Sequence, residues 1–136
     1  TQNENFPYED FKKEGYESYV FGQKSYNGVA IVSNSKIDKI NINFMNDELQ
    51  QSRIISGELH YLKKKIEIIN IYVPNGNPVE SSKYDYKKRW LSTFIKKIKK
   101  RISENKNIVK DKLPTEKFDI VFLNGIIQHF SSVNNT

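Results

Sequence analysis

Cysteine is missing altogether from this chain of 136 residues. That excludes disulfides and any thiolate metal site. It also fits a reducing compartment, so a cytoplasmic location is expected. No apolar run approaches the length needed to span a bilayer, so no membrane partner is expected. Glycine (six) and proline (four) are too few for a low-complexity domain, and no internal repeat is visible. No signal peptide opens the chain. Thr1 stands where an initiator methionine would, which reads as a fragment or a removed start. The length allows one domain at most.

What is present is basic and polar. Lysine and arginine total 22 against 16 acidic residues, a net charge of +6. The pI is near 9.4 and the mean hydropathy is -0.69. Such a balance suits a polyanionic partner. Abundant Ile, Lys and Asn also follow from AT-rich coding, so charge by itself carries little weight.

The periodicities predict a short helix over 6–13, with Pro7 in its first turn and Gly15 after its end. Strands are expected over 18–21 and 27–33, around a polar turn, and an imperfect edge strand over 36–44. Segments 53–61 and 64–73 read as a hairpin turning near Leu62 and Lys63. Residues 83–104 form the longest helical pattern. There Trp90, Leu91, Phe94, Ile95, Ile98 and Ile102 recur at spacings of three and four, and Lys96, Lys97, Lys99, Lys100 and Arg101 fill the other face, a pattern that more often marks a solvated surface than a nucleic-acid site. A polar linker over 105–116 and a last apolar strand over 118–123 complete the pattern. This is an α/β layer arrangement in which the long helix is the main cover for the sheet.

The most informative run is Ile68-Ile69-Asn70-Ile71-Tyr72-Val73 followed by Pro74-Asn75-Gly76. β-Branched residues build a buried strand, and the Pro-Asn-Gly segment stops and turns it. A tyrosine hydroxyl and an amide thereby sit at the C-terminal lip of a strand, a common place for sites. GQKSYNGVAI at 22–31 is again a polar Gly-bounded turn feeding an apolar strand, and KYDYKKRWL at 83–91 follows the Pro-Asn-Gly turn at short range. In this order, with NIYVPNGNP at 70–78 between them, they resemble the exodeoxyribonuclease III family. These are the DNA-repair members of the endonuclease/exonuclease/phosphatase superfamily. The match covers most of 6–91.

The resemblance implies part of that superfamily's layered α/β sandwich over 1–123, with a divergent tail at 124–136. It implies a nuclease that hydrolyses phosphodiesters at abasic sites and 3′ ends of double-stranded DNA with Mg²⁺. A hard cation held by carboxylates neutralises the phosphate while water attacks. Tyr72 matches the family's active-site tyrosine, positioned to hydrogen-bond the phosphate. Asn75 falls where the family places a polar side chain near it. Tyr26 matches a DNA-contacting aromatic, with Lys24 and Asn27 beside it. Arg53 matches a DNA-binding arginine, and Lys87 and Arg89 lie, with Lys88, in a stretch that runs beside DNA in relatives. Each has a plainer reading. Tyr72 also suits a half-buried strand end, Lys24 a hairpin tip, and Arg53 an ion pair with Asp47 or Glu48. The 87–89 stretch also suits a solvated helix start.

The departures concern the metal. The family's metal-binding glutamate would precede Thr1. Its Gly-Asp-x-Asn motif is missing after the last strand, where Asn124-Gly125-Ile126-Ile127 stands instead. Its closing Asp-His pair has no counterpart, and His129 matches it only in residue type. No metal ligand is therefore assigned. The expectation is a truncated, inactive nuclease. A non-catalytic DNA-binding remnant or a small interaction domain remains the alternative.

Overall fold

The computed structural model describes residues 2–104 and the backbone of 120–124. The expected linker at 105–116, Asp119 and the tail beyond Asn124 lie outside the described residues. The chain divides into two compact units, Thr1–Tyr72 with Ile120–Thr136, and Val73–Asp119.

The first unit opens with a 3-10 turn, Asn3–Asn5, and a one-and-a-half-turn helix α1, Tyr8–Lys13. The helix starts two residues later than expected because Pro7 takes the cap position. Glu9 and Asp10 in the first turn and Lys12 and Lys13 in the last complement its dipole. Gly15, at a φ of 82°, carries the chain out of it. Phe6 stacks on Phe11 with centroids 5.4 Å apart.

Strands β1 (Glu17–Phe21) and β2 (Val29–Ser33) form an antiparallel pair. Strands β3 (Ile37–Asn41), β4 (Ile54–Tyr61), β5 (Lys64–Ile71) and β6 (Ile120–Asn124) form a second sheet in that order. β3 is an edge strand, as its imperfect alternation implies, but it ends at Asn41, short of 44. The β4–β5 hairpin runs from Ile54↔Ile71 to Tyr61↔Lys64. Its two-residue turn holds Leu62 and Lys63 at φ of 46° and 62°. That left-handed pair matches the right-handed twist of the strands, although Asn-Gly is the usual occupant. β6 lies parallel to β5.

The two sheets share one core. Val29, Ile31, Ile37 and Ile55 are buried together, with Tyr19, Phe21, Leu59, Ile68 and Tyr72 packed around them. The β1–β2 pair thus covers the larger sheet, a role the sequence pattern had left mainly to the long helix. A side-chain bond ties the layers: Asn70 Nδ2 donates to the Ala30 carbonyl at 2.7 Å.

The second unit contains α2, Ser82–Glu104. Ser81 caps it, accepting from the Tyr84 N–H at 3.2 Å and donating to the Pro78 carbonyl. Tyr86, Trp90 and Phe94, spaced by four, are its buried residues.

Candidate nucleic-acid interface

In the first unit the site grows from one end of the β4–β5 hairpin. Arg53 directly precedes β4 and Tyr72 directly follows β5, so the register Ile54↔Ile71 sets them opposite each other. The Tyr72 N–H donates to the Arg53 carbonyl at 2.8 Å. The Arg53 guanidinium returns across the pair. Its Nη1 donates to the Tyr72 carbonyl at 3.0 Å, and its Nε to Gln51 Oε1 at 2.8 Å. The guanidinium carbon lies 5.0 Å from the centroid of the Tyr72 ring. Arg53 is only 7% exposed. Its plane fixes the backbone and ring face of Tyr72.

Ser52 fastens the glycine-bounded loop to this pair. Its N–H donates to Gln23 Oε1 at 2.6 Å, and its hydroxyl donates to the Gly22 carbonyl at 3.0 Å. The Gly28 N–H donates to the Ser52 carbonyl at 2.9 Å. Both ends of the 22–28 loop are thus held beside the residue that precedes Arg53. Ser25, Asn27 and Gly28 all take positive φ, which folds the loop tightly. Lys24 is exposed, Asn27 is half-buried, and Tyr26 is 82% exposed. An anchored loop with an outward aromatic ring and a lysine can stack on a base and meet a phosphate.

Gln23, Gln51 and Ser52 were not singled out from the sequence, since nothing local marks a glutamine as the partner of a residue 29 positions away. In sequence Asn124 stands where the Gly-Asp-x-Asn motif is missing. Its backbone pairs in register with Ile71, which places it at the Tyr72 end of the sheet.

In the second unit Asn75 and Lys87 come together. Asn75 is exposed, and Lys87 Nζ donates to its carbonyl at 3.4 Å. Gly76 makes this possible: its φ is 70°, and an added Cβ would stand 2.6 Å from Lys87 Cδ. At the next residue, Lys88 Nζ lies 2.9 Å from Asp85 and 4.9 Å from the Tyr84 ring centroid. The Lys88 hydrogen bond, then its charge, holds the Asp85 carboxyl below its usual range. Arg89 is exposed on the same helix.

His60 lies on β4 with Nε2 2.9 Å from Glu58 and 3.8 Å from Asp38. It is a hairpin residue in a surface charge cluster. Among the described residues no three His, Asp or Glu side chains converge as a cation site. A hard divalent cation takes mostly carboxylate and other oxygen ligands. The described residues therefore do not fit the Mg²⁺ that the resemblance implies. Among them, too, no helix is long and apolar enough to cross a membrane.

No family model matches the chain. Solved structures do. An AP endonuclease from Archaeoglobus fulgidus superposes with a TM-score of 0.69 at 28% identity, over 91% of this chain and 42% of its own. The 3′ phosphatase NExo from Neisseria, solved with a product DNA hairpin, gives 0.66 at 26% identity, over 76% of this chain and 39% of its own. The 3′–5′ exonuclease NExo from Neisseria meningitidis gives 0.66 at 27%, over 75% and 39%. The chain resembles exodeoxyribonuclease III-like nucleases of the endonuclease/exonuclease/phosphatase superfamily. It spans about two fifths of the length of these proteins. Its fold is a partial α/β nuclease fold, and these neighbours are hydrolases.

Proposed function

We propose that this chain supplies a DNA-contacting part of an exodeoxyribonuclease III-type nuclease, an enzyme that cleaves phosphodiesters at abasic sites and 3′ ends. In this reading Tyr72 is the phosphate-facing hydroxyl, and Arg53 holds it in place rather than meeting DNA. Tyr26, Lys24 and Asn27 contact the duplex backbone, as do Asn75, Lys87 and Arg89. The observation that carries the proposal is the clasp at the hairpin end. Arg53 locks Tyr72, and Ser52 pins the Tyr26 loop beside it. Such a half-site is what a phosphodiesterase needs to orient a phosphate before a metal acts. A relative solved with DNA adds support.

The polypeptide by itself binds duplex DNA without cutting it, because the carboxylate cluster that would hold Mg²⁺ is not found among the described residues. The test is to titrate an abasic duplex with the purified chain, with and without Mg²⁺. The expected result is weak, sequence-independent, steeply salt-dependent binding that Mg²⁺ does not convert to cleavage. Mg²⁺-dependent incision that Tyr72→Phe abolishes would show the chain to be a competent nuclease. Absence of binding at low salt, in a chain that melts cooperatively, would favour a small interaction domain.

A further inference from the structure

We propose that the outer face of α2 is a second docking track for the phosphate backbone of duplex DNA, formed by Arg89, Lys96, Lys99 and Lys100. It rests on the reading of a DNA-binding chain, and Lys96, Lys99 and Lys100 extend that reading beyond the residues already assigned.

The first support is how the charge is distributed. α2 holds nine of the chain's 22 basic residues and two of its 16 acidic ones. The helix is therefore +7 and the rest of the chain −1, against a total of +6. Concentration in one element points to a use for the charge.

The second support is the face. Positions 89, 96, 99 and 100 are separated by seven, three and one, so they share one side of a helix. All four are exposed. At 1.5 Å per residue they span about 16 Å of axis. Duplex DNA offers a phosphate about every 3.4 Å of axis on each strand, so several fall within reach. Ser92 and Thr93 are the residues on this side between Arg89 and Lys96, and both are small and exposed.

The third support is what the helix cannot do. Its bulky apolar residues Tyr86, Trp90 and Phe94 are buried, at 7%, 3% and 8% exposure. An interfacial membrane helix must insert that face, and here it is taken. The exposed remainder is mainly basic, with Ile95 and Ile102 as its only large apolar side chains, at 50% and 47% exposure. The helix's two carboxylates pair within it, Asp85 with Lys88 at 2.9 Å and Glu104 with Lys100 at 3.6 Å. Among the described residues no carboxylate pairs with Lys96 or Lys99. Lysines on flexible stems suit contacts that read charge and not sequence.

The experiment follows binding of a fluorescent duplex of about 20 bp, intact and abasic, by anisotropy between about 50 and 200 mM salt. The full chain is compared with the triple variant Lys96→Gln, Lys99→Gln, Lys100→Gln. Each phosphate contact contributes about 0.9 to the slope of log K against log salt, so the slope should fall by about 2.7. The fall should be equal on both duplexes, and the thermal melt should not change. Replacing the same three lysines by arginine should keep the slope. An unchanged slope in the glutamine variant overturns the track while leaving the Tyr72 reading intact. That reading is tested separately by Tyr26→Ala and Lys24→Gln. A fall confined to the abasic duplex also overturns it, because the lysines would then belong to the primary site. So does an effect seen only with phosphatidylserine vesicles, which would make the partner a membrane. If the wild-type chain binds neither duplex at low salt, both readings fall.

Discussion

Removing the Arg53 side chain should cost this protein more stability than any exposed basic residue would. In Arg53→Ala the Gln51 Oε1 and the Tyr72 carbonyl lose a charged donor at 2.8 and 3.0 Å, and the Tyr72 ring loses its cation at 5.0 Å. Hydrogen bonds to charged groups contribute about 1.5–3 kcal/mol each, and a desolvated cation–π contact about 1–2. These terms are not additive, and Tyr72 is only half-buried, so water recovers part of the loss. About 3 kcal/mol is expected. At about 4 °C per kcal/mol for a chain of this size, the melting midpoint should drop by roughly 12 °C. Urea unfolding followed by circular dichroism measures the free energy directly. A double-mutant cycle with Tyr72→Leu isolates the ring contact and should return a coupling of about 1 kcal/mol. Arg53→Lys should recover little, because an ammonium cannot bridge two acceptors in a plane. A loss under about 0.5 kcal/mol in Arg53→Ala, the range of ordinary surface changes, would refute the clasp and return Arg53 to the DNA-facing surface.

Gly57→Ala should destabilise the chain by about 1–3 kcal/mol, because its new methyl would overlap the Ile37 side chain and crowd Ile40. The urea midpoint reads this, and shortening Ile37 to Val should relieve part of it. Asn70→Ala removes the amide that donates to the Ala30 carbonyl, at an expected cost of about 1–3 kcal/mol, with faster amide exchange in β2 as its signature. The carboxyl of Glu58 is held below its usual range by hydrogen bonds from Lys39 and then His60, and that of Asp38 by Lys36. A depressed folded-state value means stability present above the unfolded values, near 4.5 and 3.8, and lost as pH falls through the folded ones. The urea midpoint should therefore drop below about pH 4, with the double change Glu58→Gln and Asp38→Asn flattening the profile. About 1 M salt should flatten it in the same way, since these pairs are exposed.

Much of the fold is legible in the chain itself. Runs of Ile and Val bounded by Pro-Asn-Gly or Gly-bounded turns report strands because the alternation is a local property of an extended backbone. The hairpin turn at Leu62 and Lys63 and the long helix to Glu104 fall where the pattern puts them. The resemblance to the nuclease family is likewise legible in three motifs, because each is a contiguous stretch. Tertiary structure decided other matters. The β1–β2 pair covers the larger sheet, although its strands read no differently from strands of one continuous sheet. Asn70, inside the most telling motif, spends its amide on a carbonyl 40 residues away. Arg53 reads in sequence as a DNA-binding arginine or an ion pair with Asp47 or Glu48, and the fold buries it over Tyr72. Ser52 carries no signal at all, yet it holds the loop that presents Tyr26. Composition and periodicity record what each residue does to its own backbone and its near neighbours. Which distant donor meets which distant acceptor depends on strand register and layer packing, so burial and partners emerge only when the chain has folded.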